Sequence, residues 1–254
     1  MAIIAVLNPH PGVGATTTAL NLLAAIARRG QRPLGIDLDP RGDLTRAFGI
    51  RAPLADDSVC GFFARGQPLG DIAQISRSGV VLCPAHADLA AVGARLGKGI
   101  DVVTRLRRAL RKPNAVTGPV VIDCGPRLGV LALNALFACD RLIVPVSAEA
   151  AAREGAGQVE RAVAALEPVL KGRLPRHYVL TRCDAGVAAG TDDAPERLAE
   201  RVPRAAICAA RIRESDELAA SLAAELDIFR HAPESAGADD YLALVDELVG
   251  AGLA

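Results

Sequence analysis

Short apolar runs alternate with amphipathic stretches along this chain. Residues 2–7, AIIAVL, form a continuous apolar run with adjacent β-branched residues, the pattern of a strand buried on both faces. Residues 16–29 follow with Leu20, Leu22, Leu23 and Ile26 toward one side, and Arg28-Arg29-Gly30 closes the stretch. Cations in a last turn and a glycine just beyond it mark a helix end. Further strands are predicted at 33–37, 80–83, 120–123, 141–146, 178–181 and 205–208. Helices are predicted at 98–111, 131–139, 153–170, 195–201, 214–226 and 238–249. Strands alternating with helices imply an α/β fold: a mostly parallel, twisted sheet with helices on both faces. No repeat, low-complexity tract or Pro/Gly-rich linker divides the sequence, so residues 1–254 read as a single domain. Residues 49–78 are the least regular part and receive no element.

Ligands of such a sheet bind beyond the carboxyl ends of its strands. Three strand-end loops carry the candidate chemistry. The first is NPHPGVGATTT, from Asn8 to Thr18. Gly12 and Gly14 permit backbone angles that bring N–H groups toward an anion, and the following helix presents its positive end there. A glycine-rich turn before a helix is common by itself, and Thr16 reads equally as an ordinary helix cap. The second is DLDPRGDLT, where two carboxylates at the tip of an apolar strand call for a cation; hydrated magnesium is the natural one. The plainer alternative is a helix start with Asp43 as its cap. The third is VVIDCGPRLG, with Asp123 ending a strand as a metal-holding carboxylate does. The three loops in this order say much more than any one of them.

Composition narrows the partners. Lys+Arg and Asp+Glu are both 29, so the net charge is zero and any nucleic-acid surface must be a local patch. Lysine is confined to Lys98, Lys112 and Lys171. The six cysteines form no C-x-x-C pair and sit mostly in apolar runs, as buried thiols of a reducing compartment do. The start, MAIIAVLNP, has neither a basic segment nor a long apolar one, and no window approaches a membrane span. A cytoplasmic protein is expected.

With these motifs in hand, the chain resembles the ParA/MinD family of P-loop ATPases with a deviant Walker A loop. The family pattern runs close to K-G-G-x-G-K-T-T, then D-x-D-P-Q-G-N, then a D-x-P-P-type switch. Here those are HPGVGATT, DLDPRGD and DCGPRLG, and the resemblance continues through GVVLCPAHADLA, RLIVPVSAEA and APESAGADDYLALVDELV. It implies a P-loop NTPase-like fold binding ATP or ADP with Mg2+. The loop His10, Pro11, Gly12, Val13, Gly14, Ala15, Thr16 and Thr17 would hold the phosphates. Thr16 and Asp123 would hold the metal, and Asp37 or Asp39 would orient the attacking water. It also implies an ATP-sandwich homodimer that positions DNA or protein cargo with an unidentified protein partner.

The loop departs from that pattern. His10 stands at the dimer-bridging lysine and Ala15 at the P-loop lysine, and Pro11 replaces a glycine, removing one N–H. A charge-assisted contact contributes about 1.5–3 kcal/mol, so losing two costs about 3–6 kcal/mol. That is roughly a hundred- to ten-thousand-fold in affinity. Hydrolysis suffers more than binding, because the lysine stabilises charge that develops during transfer. Arg127, and after it Arg41, are candidates to supply a guanidinium, in cis or across a dimer; the plainer reading is two solvent-facing arginines. Histidine is a poor substitute near neutral pH.

Two basic groups, Arg107-Arg108-Arg111-Lys112 and Arg201-Arg204-Arg211-Arg213, could meet DNA without sequence preference, or be solvated faces. The last helix carries Asp239, Asp240, Asp246 and Glu247, an acidic end that argues against a direct membrane anchor. Thr181 falls where relatives often place an asparagine for the base, and Arg213 where they place a proline. Two other readings stand beside the ATPase. One is a catalytically dead pseudo-ATPase adaptor, for example an accessory protein of bacterial cellulose secretion. The other is an NAD-type Rossmann enzyme, disfavoured because Thr17 occupies the third glycine position and DLDPRGDLT is left unexplained.

Overall fold

The computed structural model describes residues 2–51, 54–97, 99–113, 116–184 and 193–253. Eight strands form one sheet: β1 Ile3–Val6, β2 Leu34–Asp37, β3 Gln74–Ile75, β4 Val81–Cys83, β5 Val120–Asp123, β6 Arg141–Val146, β7 Arg176–Cys183 and β8 Ile207–Arg213. Their order is β3-β4-β2-β5-β1-β6-β7-β8, and every pairing is parallel except β3 with β4. The mostly parallel sheet follows the sequence-based expectation.

Period-two alternation assigns each strand to two cores. Ile3, Ala5, Leu7, Val120, Ile122, Leu142 and Val144 pack on one face with Ala152, Ala156, Val159 and Val163 of the helix Ala150–Leu170. Ile4, Val6, Val121 and Ile143 pack on the other, with Leu20, Leu22, Leu23 and Ile26 of α1 (Ala15–Arg28) and with Tyr241, Leu244 and Val245 of the helix Ala236–Leu248. Both faces are dry, which is why these strands read as unbroken apolar runs.

Register then gathers the loops. Val6 of β1 pairs with Asp123 of β5, and Asp37 of β2 pairs with the same residue from the other side. Three adjacent strands therefore end level, and the loops after them emerge side by side.

Several elements differ from the sequence reading. The helix expected at 98–111 is two short ones, Ile100–Val103 and Arg105–Leu110; Lys98 lies outside the described residues. The break is at Thr104, whose hydroxyl donates back to the Ile100 carbonyl at 2.6 Å, while Asn134 Oδ1 accepts from the Leu106 amide at 3.1 Å. The last strand is not 205–208 but Ile207–Arg213, preceded by a 3-10 turn at Arg204–Ala206. It is an edge strand whose Ala209 and Ala210 amides donate to the two carboxylate oxygens of Glu247, at 2.9 and 2.8 Å. Residues 49–78 hold a 3-10 turn (Ala55–Asp57), the helices Val59–Arg65 and Leu69–Ile72, and β3.

Candidate nucleotide-binding site

The glycine-rich loop is pinned from below at both ends. At its start Asn8, 2% exposed, donates from Nδ2 to the carbonyls of Pro145 (2.7 Å) and Ala152 (3.3 Å) and accepts the His10 amide on Oδ1 at 2.9 Å. The helix Ala150–Leu170 comes so near that a Cβ on Gly155 would sit 2.4 Å from Asn8 Oδ1. Further along, the Thr181 hydroxyl donates to the Val13 carbonyl at 2.8 Å. Gly12 and Gly14 both have φ +81°, where a side chain is strained. Gly14, not Thr16, is the N-cap of α1, so no side chain caps its first turn. The amides there carry the positive dipole end that a helix N-terminus can offer to an anion.

The residues of this loop border one cleft of about 430 Å3, together with Arg41, Asp43, Arg46, Cys124 and Pro126, and with Leu222 and Ala223 from the helix Asp216–Ala223. Below it lie the acids. Asp123 is fully buried; its Oδ2 accepts the Thr16 hydroxyl at 2.9 Å, and its Oδ1 has no partner among the described residues. Burial first, and then the charge of Asp37, hold the Asp123 carboxyl well above the usual range. Asp37, also fully buried, is pushed up to about 6 by burial, against the opposing bonds from Thr45. An orphaned carboxylate oxygen beside a hydroxyl, in a pair of desolvated acids, is a place where a small hard cation fits. Thr16 and Asp123 offer two oxygens, and magnesium completes its shell with water and phosphate. Among the described residues no group of three or more His, Cys, Asp or Glu is arranged to hold a metal.

The sequence-predicted residues fare differently. Residues 10–17 border the cleft, whereas Asp37, Asp39 and Asp123 do not, Asp123 reaching it only through its bond from Thr16. Asp37 Oδ1 accepts the Asp39 amide at 3.0 Å, and Oδ2 accepts the Thr45 amide at 2.9 Å and the Thr45 hydroxyl at 2.6 Å. Asp39 Oδ1 accepts the Arg41 amide, and Oδ2 takes Nε and Nη2 of Arg41 at 2.9 and 2.7 Å. Asp43 is the first residue of α2 (Asp43–Ala47), not its cap, which is Gly42. Arg127 is exposed and does not border the cleft, although Pro126 does. His10 Nε2 meets Glu149 Oε2 at 3.0 Å. Thr181 spends its hydroxyl on the loop, and Arg213 is held by Asp240 with Nη2 at 2.6 Å from Oδ1, so both act in the frame rather than stand free for a base.

Sequence reasoning missed Arg46 and Arg182. Arg46 follows DLDPRGD on α2, and Arg182, at φ +53°, reaches the Gly12 carbonyl at 3.4 Å while paired with Glu214. The signal available for Arg46 was its spacing of three from Asp43 on a helix start. The basic groups are largely compensated. Arg107 donates to the Phe137 carbonyl, and Arg108 and Arg111 pair with Asp101 and Asp140. Arg201, Arg204 and Arg213 pair with Glu154, Glu196 and Asp240. The acidic last helix is likewise occupied, Asp246 with Arg29 and Glu247 with β8. No helix among the described residues is long and apolar enough to cross a membrane.

Residues 1–174 match the family described as AAA domain. The chain is 37% identical over 189 residues to the chromosome partitioning protein ParA of Caulobacter vibrioides, covering 72% of this chain and 70% of that one. It is 35% identical over 253 residues to the chromosome-partitioning ATPase Soj of Thermus thermophilus, covering 97% and 94%. A crystal structure described as cobyrinic acid a,c-diamide synthase from Mycobacterium smegmatis, with bound ADP and magnesium, matches with a TM-score of 0.81 at 29% identity, over 98% of this chain and 94% of that one. The chain belongs to the ParA/MinD family of P-loop ATPases.

Proposed function

We propose that this ParA/MinD-family protein binds ATP or ADP with Mg2+ in the cleft above Asp123 and works as a nucleotide-dependent positioning factor for DNA or protein cargo, with weak or absent hydrolysis. The observation that carries the reading is the Thr16–Asp123 pair, whose Oδ1 has no partner among the described residues, at the foot of a helix start without a side-chain cap. Thr16 and Asp123 would hold magnesium, which supplies charge neutralisation for the phosphates when bound. The amides of residues 12–17 would surround those phosphates. The relatives named for chromosome partitioning support the positioning role.

Weak hydrolysis follows from what the loop and the acids lack. The family pattern has two lysines where this deviant loop has His10 and Ala15, and no ammonium takes their place among the residues of the cleft. Asp37 and Asp39, the candidates for orienting water, already spend their oxygens on Thr45, Arg41 and the backbone. An ATP-sandwich homodimer is part of the reading, with exposed Arg127 acting from the neighbouring copy. DNA would be met only weakly, because the basic groups are paired with carboxylates and carbonyls.

Titration calorimetry with ATP and ADP, with and without magnesium, tests the proposal. Magnesium-dependent binding is expected, and size exclusion with ATP should give a dimer. The same committed acids favour a second reading, a nucleotide-free adaptor of a secretion system. No heat at millimolar nucleotide would remove the first reading and leave that one.

A further inference from the structure

Resting on the nucleotide-binding reading above, we propose that Arg46 is the cation that grips the terminal phosphates of the nucleoside di- or triphosphate in this cleft. It would stand in for the ammonium that Ala15 cannot supply. Two guanidinium groups border the cleft, Arg41 and Arg46, and they are not equivalent. Arg41 sets Nε and Nη2 on one oxygen of Asp39, which is 2% exposed. Drawing Arg41 to a phosphate would strand a buried carboxylate without its counter-charge, the costly way to break such a pair. Arg41 is therefore the neutraliser of Asp39, and its positive charge is spent.

Arg46 is held by less. Its Nη1 donates to the Arg41 carbonyl at 2.5 Å, and its Nη2 meets Asp43, whose side chain is 34% exposed. Both partners keep access to water when Arg46 swings away, so the exchange of Asp43 for a phosphate costs little. The Arg46 side chain is itself 57% exposed and sits on the same short helix as the cleft residues Asp43 and Ala47. Its planar fork takes two phosphate oxygens at once, which a lysine cannot do. His10, the other basic group of the cleft, carries an imidazole rather than a permanently charged fork. Arg46 is thus the remaining cation there whose partners can release it.

The test uses the full chain and calorimetric titration with ADP and with ATP, each with magnesium. Arg46→Ala should weaken both by about ten- to a hundredfold, the loss of one charge-assisted contact. Arg46→Lys should recover part of that loss. Arg204→Ala, which removes the same charge from a residue outside the cleft, should stay within about twofold of the unaltered chain. Circular dichroism checks folding, and Arg46→Gln, for which the same loss is expected, takes the place of the alanine variant should that one fail to fold. An Arg46→Ala affinity within about twofold of the unaltered chain, or an equal loss in Arg204→Ala, overturns the proposal and leaves nucleotide binding standing. Absence of binding by the unaltered chain overturns both.

Discussion

The Thr181 hydroxyl donates to the carbonyl oxygen of Val13 at 2.8 Å, tying the end of β7 to the glycine-rich loop across 168 positions of sequence. Thr181 is 3% exposed, so water cannot replace it. Thr181→Val keeps the shape and leaves that carbonyl unpaired, which should cost about 1–3 kcal/mol in urea denaturation. Thr181→Ser should recover most of it. Equal stability of the valine variant would mean that the loop is held by other contacts.

Gly155 is a second anchor, remote from the cleft in sequence. Gly155→Ala pushes a methyl group against Asn8 Oδ1, the acceptor of the His10 amide. The loop entrance must shift, so nucleotide affinity should fall by about tenfold or more although residue 155 does not border the cleft. Calorimetry on the folded variant checks this, and unchanged affinity would show that the loop entrance tolerates displacement.

Restoring the absent ammonium is the direct test of the electrostatic deficit. Ala15 opens α1 and borders the cleft. Ala15→Lys should raise ATP affinity by about ten- to a hundredfold. Phosphate release assays should then report turnover above that of the parent. A lysine at 15 without effect on either would show that the cleft does not present phosphates to that position.

The buried acids predict a pH dependence with a definite sign. The folded pKa of Asp37, about 6, lies above the ordinary aspartate value of about 4, so the folded state holds that proton more tightly. The resulting stability is complete below about pH 4 and is lost as pH rises through about 6. Glu160, held down by its hydrogen bond with Arg176, contributes the opposite slope, so the comparison must be with Asp37→Asn. In magnesium-free buffer the parent should lose stability relative to that variant as pH rises from about 4 to about 7, because Asp37→Asn removes this proton and also relieves Asp123 of the charge of Asp37. A constant difference over that range would contradict the burial argument.

Much of this was legible in the amino-acid order, and the reason is locality. A strand buried on both faces must be apolar throughout, and the chain can leave the sheet toward a ligand only at its ends. NPHPGVGATTT, DLDPRGD and VVIDC therefore announced the strand ends and the order of the loops. The helix caps at Ser215 and Ser235 are equally local, each accepting an amide three residues on, yet the sequence reading passes over them and begins those helices at 214 and 238. Thr104 shows where local reading fails. Its apolar neighbours continue the helical period, but a side chain on another helix, Asn134, takes the amide that the period assigned inward.

What the order of residues determined by itself was the parallel sheet, the glycine-rich turn and the carboxylates at the strand tips, since each follows from the period and the punctuation of a short segment. The tertiary structure alone decided which charges are spent. Arginines that look alike in the sequence part ways in space. Arg41 is bound to a buried acid, Arg46 to a partly exposed one, and Arg127 borders nothing of the cleft. The free energy of a charge depends on its burial and on the partner across from it, and the chain assigns both only when it closes on itself.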